Sequence, residues 1–512
     1  MNIALISTDN DLWAFGVRLI SSALKRAGHS TRLLLLQSES AEYSAAALDD
    51  IRQLIGPSDL VGLGCFSRGA RKARQLAAAI GSLAKPVVWG GLHASLNPAE
   101  CAETADIVCR GEGEETILEL LESLDEGRSW EGIRNLAYRK GENVVLNPVR
   151  PPISNLDTLP LPDFERDHEF HLARGRVVKA PTSAHSRRMQ YLGSRGCALH
   201  CSYCCNRKLK DLYGGNAVYL RRMSPAKYVD HLATLHRRHF PDATDVFLHD
   251  EDFFLRTVEE IREFAGLYRT QVGLPFDCMV SPLRIADEKV RLLAEAGLWR
   301  ISMGVESGSE RTKKEVFDRP VPNQAVLRAS HTIKQHPTVA PCYYFIVGNP
   351  YEARQDLLDT LGLMTRLESP HYADIYNLVF FPGSVLFDRA VRDGMIAGAR
   401  ESGVELHFRA GLKYREHAWK QNNLYLNALL FLTEGKATSR RLGLLPRSAI
   451  PFLTRPAVID FMDRQKSLCR IAIASKVLLL KTRARIGAVV KSLIKNPADA
   501  YNLRRYLKRK FA

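Results

Sequence analysis

The stretch that most constrains this chain is Tyr191-Leu-Gly-Ser-Arg-Gly-Cys197-Ala-Leu-His-Cys201-Ser-Tyr203-Cys204-Cys205-Asn206, which packs four of the ten cysteines into nine residues. Cys197, Cys201 and Cys204 are spaced C-x3-C-x2-C. An apolar run from Met189 to Leu192 leads in and glycines flank the cysteines, the pattern of a strand end followed by a loop. Such a loop can wrap three thiolates around one face of a metal cluster. Iron–sulfur clusters are commonly held by four thiolates, so three leave one iron open to an incoming amine and carboxylate. A zinc site is the alternative; it needs a fourth ligand, which Cys205 or His200 could supply. Otherwise Cys205 is a spare thiol. A disulfide framework is not expected, because 512 residues bury a core without staples and no secretory signal opens the sequence. Clustered free thiols fit a reducing, cytoplasmic setting.

Residues 1–147 alternate apolar runs (Asn2–Ser7, Thr31–Leu36, Leu60–Phe66, Pro86–Trp89, Asp106–Cys109) with helical patterns (Phe15–Ala27, Ala70–Leu83, Glu114–Leu124). This alternation predicts a Rossmann-like parallel sheet with helices on both faces, whose ligands bind beyond the carboxyl ends of the strands. Those ends carry Ser67, then Gly90-Gly91-Leu-His93, then Gly111-Glu112-Gly-Glu. Glycines there let a planar ligand approach the backbone, or simply serve turns. Residues 148–163 hold five prolines in sixteen positions, so 148–185 is expected to be a stiff linker.

Across 186–400, strand patterns at Met189–Leu192, Asp245–Leu248, Phe276–Val280, Arg300–Gly304, Cys342–Val347 and Ile375–Phe381 alternate with helices. Six such units predict a partial (β/α)6 barrel of the TIM type, with functional groups at the C-terminal strand ends. The second end is His249-Asp-Glu251-Asp252-Phe, whose adjacent acids need a cation or water, or else cap a helix. The fourth is Met303-Gly-Val-Glu306-Ser307-Gly-Ser, the fifth Ile346-Val-Gly348-Asn-Pro350-Tyr-Glu, and the sixth Phe380-Phe-Pro-Gly-Ser384.

Residues 401–512 are expected to be a helical extension, with an apolar helix at 421–434 capping the barrel. Net charge is +16, but residues 465–512 hold thirteen Lys/Arg and one acid, Asp499. The excess is therefore a property of the tail, whose basic amphipathic pattern suits an anionic membrane surface or a solvated helical face. Aromatic interleaving is sparse, so no nucleic-acid partner is expected. No uncharged run reaches the roughly 18 residues of a membrane span.

The cysteine stretch, with Tyr203 just before its last cysteine, resembles the signature of the radical S-adenosylmethionine (SAM) superfamily, and the later strand ends resemble that family's in order. The resemblance implies a [4Fe–4S] cluster on Cys197, Cys201 and Cys204. It implies SAM contacts from Tyr203, from Glu251 or Asp252 to the α-ammonium, from Glu306 and Ser307 to ribose and carboxylate, and from Gly348 and Pro350 to adenine. Upstream, Cys65-Phe-Ser67, Trp89-Gly90-Gly91-Leu-His93-Ala and Arg110-Gly111-Glu112-Gly-Glu resemble the cobalamin-binding domain that precedes many such barrels. One departure is that Trp13 stands where related domains place a cobalt-ligating His; an indole N–H only donates, so Trp13 or water is expected beneath the corrin. The implied activity is methylation of an unactivated carbon of a small-molecule or lipid-like substrate, through a 5′-deoxyadenosyl radical and methylcobalamin, with a flavodoxin- or ferredoxin-type electron donor. Radical cyclisation or oxidation without methyl transfer, and a non-catalytic metal- or cobalamin-binding sensor, are the other readings.

Overall fold

The computed structural model describes residues 1–398 except 10, 39, 82, 84 and 181–186, and beyond them 426, 429, 441–442, 445–446 and 449–465. Its first apolar run forms β1 (Asn2–Ser7), which lies parallel between β2 (Ser30–Leu35) and β3 (Leu60–Gly64); β4 (Val87–Gly90) and β5 (Ile107–Cys109) continue the parallel order. The intervening helices are α1 (Phe15–Arg26), α2 (Ala45–Ile55), α3 (Ala70–Gly81), the short α4 (Leu92–Leu96) and α5 (Pro98–Cys101), and α6 (Glu114–Asp125). Strand alternation divides β1 between two layers: Ala4 and Ile6 pack with Ile51 and Leu76 of α2 and α3, Ile3 and Leu5 with Leu24 and Leu120 of α1 and α6.

Two hairpins widen this sheet. β6 (Leu136–Lys140) and β7 (Asn143–Leu146) add antiparallel strands beyond β5, while β8 (Glu169–Ala173) and β9 (Arg176–Lys179) extend the far edge, giving the order β7-β6-β5-β4-β3-β1-β2-β8-β9. The structure thus differs from the expected 148–185 linker: its second half returns to the N-terminal sheet, β8 running parallel to β2. The turn Arg174-Gly175 takes positive φ at both positions, 51° and 77°, which suits a tight hairpin. Glu169, fully buried, fastens the strand by accepting from Arg18 of α1 at 2.8 Å and from Arg166 at 2.9 Å.

The second sheet is wholly parallel and sequential. Its strands are β10 (Arg188–Tyr191), β13 (Asp245–Leu248), β14 (Phe276–Val280), β15 (Leu298–Glu306), β16 (Ala340–Val347) and β17 (Tyr372–Asn377), while β11 (Ser194–Arg195) and β12 (Arg221–Arg222) form a small antiparallel pair beside the cysteine loop. Between them lie α7 (Cys205–Leu212), α8 (Asn216–Tyr219), α9 (Pro225–Arg238), α10 (Val258–Gln271), α11 (Asp287–Glu295), α12 (Asn323–Lys334), α13 (Arg354–Arg366) and, last, α14 (Val385–Arg392). Cys278, Val280, Ile301, Met303, Tyr343, Phe345, Ala373 and Ile375 face the core shared with these helices. Their strand neighbours Asp277, Arg300, Ser302, Tyr344 and Asp374 therefore line the opposite, polar face. Leu426, Leu429, Ile450 and Ile459 join the same core; the rest of the expected 421–434 cap and the basic segment 466–512 lie outside the described residues. No helix among the described residues is long and apolar enough to cross a membrane.

Candidate functional site

The cysteine loop runs from β11 into α7. Gly196 turns it with φ at +95°, and a Cβ there would meet the Tyr219 carbonyl at 2.6 Å. Cys201 is buried, and Cys197 and Cys204 are half-buried. Burial pushes the Cys197 thiol up to about 12. Cys204 is raised first by its contact with the Cys205 thiol and then by burial, and Cys201 by burial against the opposing pull of Arg319. Such thiols lose their protons when a metal takes their place. Among the described residues no three His, Cys, Asp or Glu side chains converge closely enough to share one ion.

Behind the loop stands a group built around Glu306, at the end of β15. The β15–β16 register shifts between Gly304 and Glu306, and Glu306 takes φ +67°, a strained conformation for a residue with a side chain. The turn folds the carboxylate back over Gly304, where any Cβ would lie 2.2 Å from Glu306 Oε1. Arg319, also buried, donates to Cys201 Sγ at 3.3 Å and to the Gly304 carbonyl at 2.6 Å, and lies 3.8 Å from Glu306. The Tyr203 hydroxyl interacts with both the Glu306 carboxyl and the Cys201 thiol, and its ring packs edge-on against Phe317 at 5.0 Å. Burial raises the Glu306 carboxyl while Arg319 and Tyr203 pull it down. Nothing in the sequence marks Arg319, since one arginine in Asp-Arg-Pro carries no pattern.

Of the two acids proposed at the end of β13, only Glu251 faces the cysteines. Its charge acts on Cys197 and Cys204, and its carboxyl is hydrogen-bonded by Asn206, which lies 3.6 Å from Cys204 Sγ and accepts from Tyr219 at 2.5 Å. Asp252 instead caps the short turn Phe253–Leu255 through the Phe254 amide at 3.2 Å; burial raises it to about 6. Asp250 is a buried structural acid, paired with Arg256 at 3.2 Å and accepting from Tyr228 at 2.5 Å. Ser307 lies fully buried, 3.2 Å from both Glu352 and Thr360. Burial lifts Glu352 to about 8. Gly348 turns the end of β16 with φ +75°, and Pro350 stands exposed beyond it. Beyond β17, Pro382 accepts from Asn97 at 3.2 Å and Gly383 abuts Leu96, which docks this segment on the N-terminal domain.

The expected cobalamin residues divide. Gly91 has φ +89° and would bring a Cβ within 3.0 Å of the Cys65 backbone, beside Gly90. Ser67 Oγ lies 3.1 Å from His93 Nδ1, whose other nitrogen is 3.4 Å from Glu100. These four sit together at the carboxyl edge of the first sheet. Gly111 and Glu112 sit on a domain junction: a Gly111 Cβ would lie 2.3 Å from the Tyr213 hydroxyl, and Glu112 pairs with Arg195 at 2.9 Å and Arg221 at 2.7 Å. Burial would raise the Glu112 carboxyl, but the two arginines outweigh it and hold it below its ordinary value. Trp13 is not at an open edge. It is buried in an aromatic cluster, stacked on Phe240 at 4.9 Å and edge-on to Phe164 at 5.5 Å. The indole thus meets other aromatic rings, Phe164 and Phe240, in addition to any ligand at the strand edge.

Residues 1–121 match the B12 binding domain and residues 191–364 the Radical SAM superfamily. The chain is 28% identical over 316 residues to an uncharacterized methyltransferase, PH0819, of Pyrococcus horikoshii, covering 60% of this chain and 64% of that protein. It is 25% identical over 382 residues to the anaerobic magnesium-protoporphyrin IX monomethyl ester cyclase of Rubrivivax gelatinosus, covering 71% of this chain and 63% of that one. In both cases the match spans less than two thirds of the relative. The cobalamin-dependent S-adenosylmethionine radical enzyme OxsB, solved with aqua-cobalamin and S-adenosylmethionine bound, shares the fold at a TM-score of 0.63 and 15% identity, covering 100% of this chain and 83% of OxsB. The chain carries a radical SAM domain behind an N-terminal B12-binding domain, and the cofactors of that domain pair are a [4Fe–4S] cluster, S-adenosylmethionine and cobalamin.

Proposed function

We propose that this enzyme transfers a methyl group to an unactivated carbon of a small-molecule or lipid-like substrate. One observation carries the reading: the carboxyl edges of the two sheets face each other. The loops after β4 and β5 meet the chain beyond β17 and the surroundings of the cysteine loop, through Asn97–Pro382, Glu112–Tyr213 and Glu112–Arg195. Bound at those edges, the cluster and S-adenosylmethionine supply hydrogen-atom abstraction and cobalamin supplies the methyl group. The chain's own part is positional. Arg319 fixes a positive charge at Cys201, Glu251 offers a carboxylate to an ammonium beside the loop, and Ser67, Gly90, Gly91 and His93 shape the facing edge. Reducing equivalents come from a flavodoxin- or ferredoxin-type donor.

The test is anaerobic reconstitution with iron, sulfide and hydroxocobalamin, followed by S-adenosylmethionine bearing a deuterated methyl group. About four irons and one cobalt per chain, with label in a product, is the expected result. Cys201→Ala is expected to lose the iron and abolish deoxyadenosine formation while keeping the cobalt. Iron without cobalt, or zinc in place of iron, would defeat the reading. Radical cyclisation without methyl transfer is the second reading, favoured by the 71% of this chain that aligns with the cyclase; deoxyadenosine with no label in the product would select it.

A further inference from the structure

The polar face of the second sheet has a charge pattern that the cofactor residues do not account for. Parallel registry sets Gly304, Tyr344 and Asp374 in one row across β15, β16 and β17, with Ile346 and Tyr376 in the next row toward the strand ends. Registered neighbours in a sheet point to the same side. Gly304 is the residue over which Arg319 and Glu306 close beside Cys201, so the row begins at the reaction centre. With strands about 4.8 Å apart, Asp374 stands roughly 10 Å along the face from it.

The other charges on this face are matched. Asp277 is shared by Arg188 and Arg300, the latter at 2.6 Å, and Arg188 also lies 3.5 Å from Asp245. Asp374 is half-buried and, among the described residues, has no basic partner; its polar contact there is the Cys342 thiol at 3.8 Å. Among the described residues the face thus carries one carboxylate in excess. Beside it, Tyr344 and Tyr376 pack edge to face at 5.5 Å, with Tyr376 37% exposed. A carboxylate flanked by two phenol rings is suited to a desolvated organic cation, which gains from the charge and from the ring faces together.

We propose that Asp374, Tyr344 and Tyr376 form an organic-cation subsite, and that the substrate carries a protonated amine or comparable cation. The inference rests on the proposed function for its site of reaction, but not for the binding itself. The cation is anchored at Asp374, and the reacting carbon lies toward Gly304, on the side of the cysteine loop.

The test is binding of phenethylamine to the reconstituted full-length protein, measured by titration calorimetry against its neutral and anionic counterparts 2-phenylethanol and 3-phenylpropanoate. The amine is expected to bind saturably and about tenfold or more tightly than either, a difference of about 1.4 kcal/mol. Asp374→Asn is expected to abolish that preference while keeping wild-type iron and cobalt content. Tyr376→Phe is expected to retain amine binding and Tyr376→Ala to weaken it several-fold. Equal affinity for amine and alcohol, or an amine preference that survives in Asp374→Asn, overturns the proposal. If Asp374→Asn does not take up iron, the partly exposed Tyr376→Ala decides, and unchanged amine affinity there overturns it too. Failure of the functional reading would show separately, as no deoxyadenosine or methyl transfer from a wild-type protein that still discriminates the amine.

Discussion

Glu306 is a carboxylate kept in a costly place. It combines a positive φ, burial, and a glycine two residues back whose missing side chain makes room for it. Arg319 is the cation that makes this tolerable, so removing it leaves a buried charge alone. Arg319→Met is expected to destabilise the cluster-free protein by about 3 kcal/mol, and adding Glu306→Gln to recover part of that, as read from urea unfolding midpoints. A double variant no more stable than the single would show that the pair is not coupled. In the sequence the three cysteines are marked by their spacing, and Glu306 by the resemblance of its strand end to that of the radical SAM family. Arg319 carries no such mark, since its role is a contact made across more than a hundred residues, 3.3 Å from Cys201.

Single elements decide how the domains join. The loop after β5 reads as a glycine-rich ligand loop, and in the structure it meets α7 and the β11–β12 pair. Gly111→Ala adds a methyl group 2.3 Å from the Tyr213 hydroxyl at φ +74°. It is expected to cost about 2 kcal/mol, and Tyr213→Ala in the same chain to relieve the steric share, so the two changes together should cost less than their sum. The hairpin β8–β9 depends on Glu169. Burial would raise that carboxyl, but His171, Arg18 and Arg166 outweigh it and hold it at about 2, down from its ordinary 4.5. A depressed carboxyl stabilises fully above its unfolded value, so this contribution is present above pH 4.5 and lost as pH falls toward 2. Glu169→Gln, which leaves Arg18 buried without its charge partner, is expected to lower stability by about 3 kcal/mol near neutral pH and to flatten the acid limb. An acid limb unchanged from wild type would refute the ion cluster's role.

At the scale of the whole molecule, Trp13 joins the parts. Its ring packs with Phe164 of the connector and Phe240 of the turn after α9, in the core that otherwise belongs to the second sheet. Trp13→Ala is expected to cost about 4 kcal/mol by opening a cavity, with the spectrum of bound cobalamin unchanged. A shifted cobalamin spectrum without loss of stability would instead place Trp13 at the corrin.

Periodicity was enough for the two α/β sheets, because a strand buried under helices must alternate or run apolar whatever surrounds it. Five of the six second-sheet strands begin and end within about two residues of the expected bounds, and the sixth, β17, begins three residues and ends four residues earlier. The cysteine loop was equally legible, since metal ligation needs side-chain types at short spacings that the chain carries locally. Three things depended on tertiary contacts: the return of residues 169–179 to the first sheet, the choice of Glu251 over Asp252 at the cysteines, and the use of Glu112 and Trp13 to dock the domains. Each turns on which distant surface a side chain meets, and its free energy comes from a partner many residues away. Local pattern marks a residue as able to bind, cap or pack, and only the assembled fold selects among those roles.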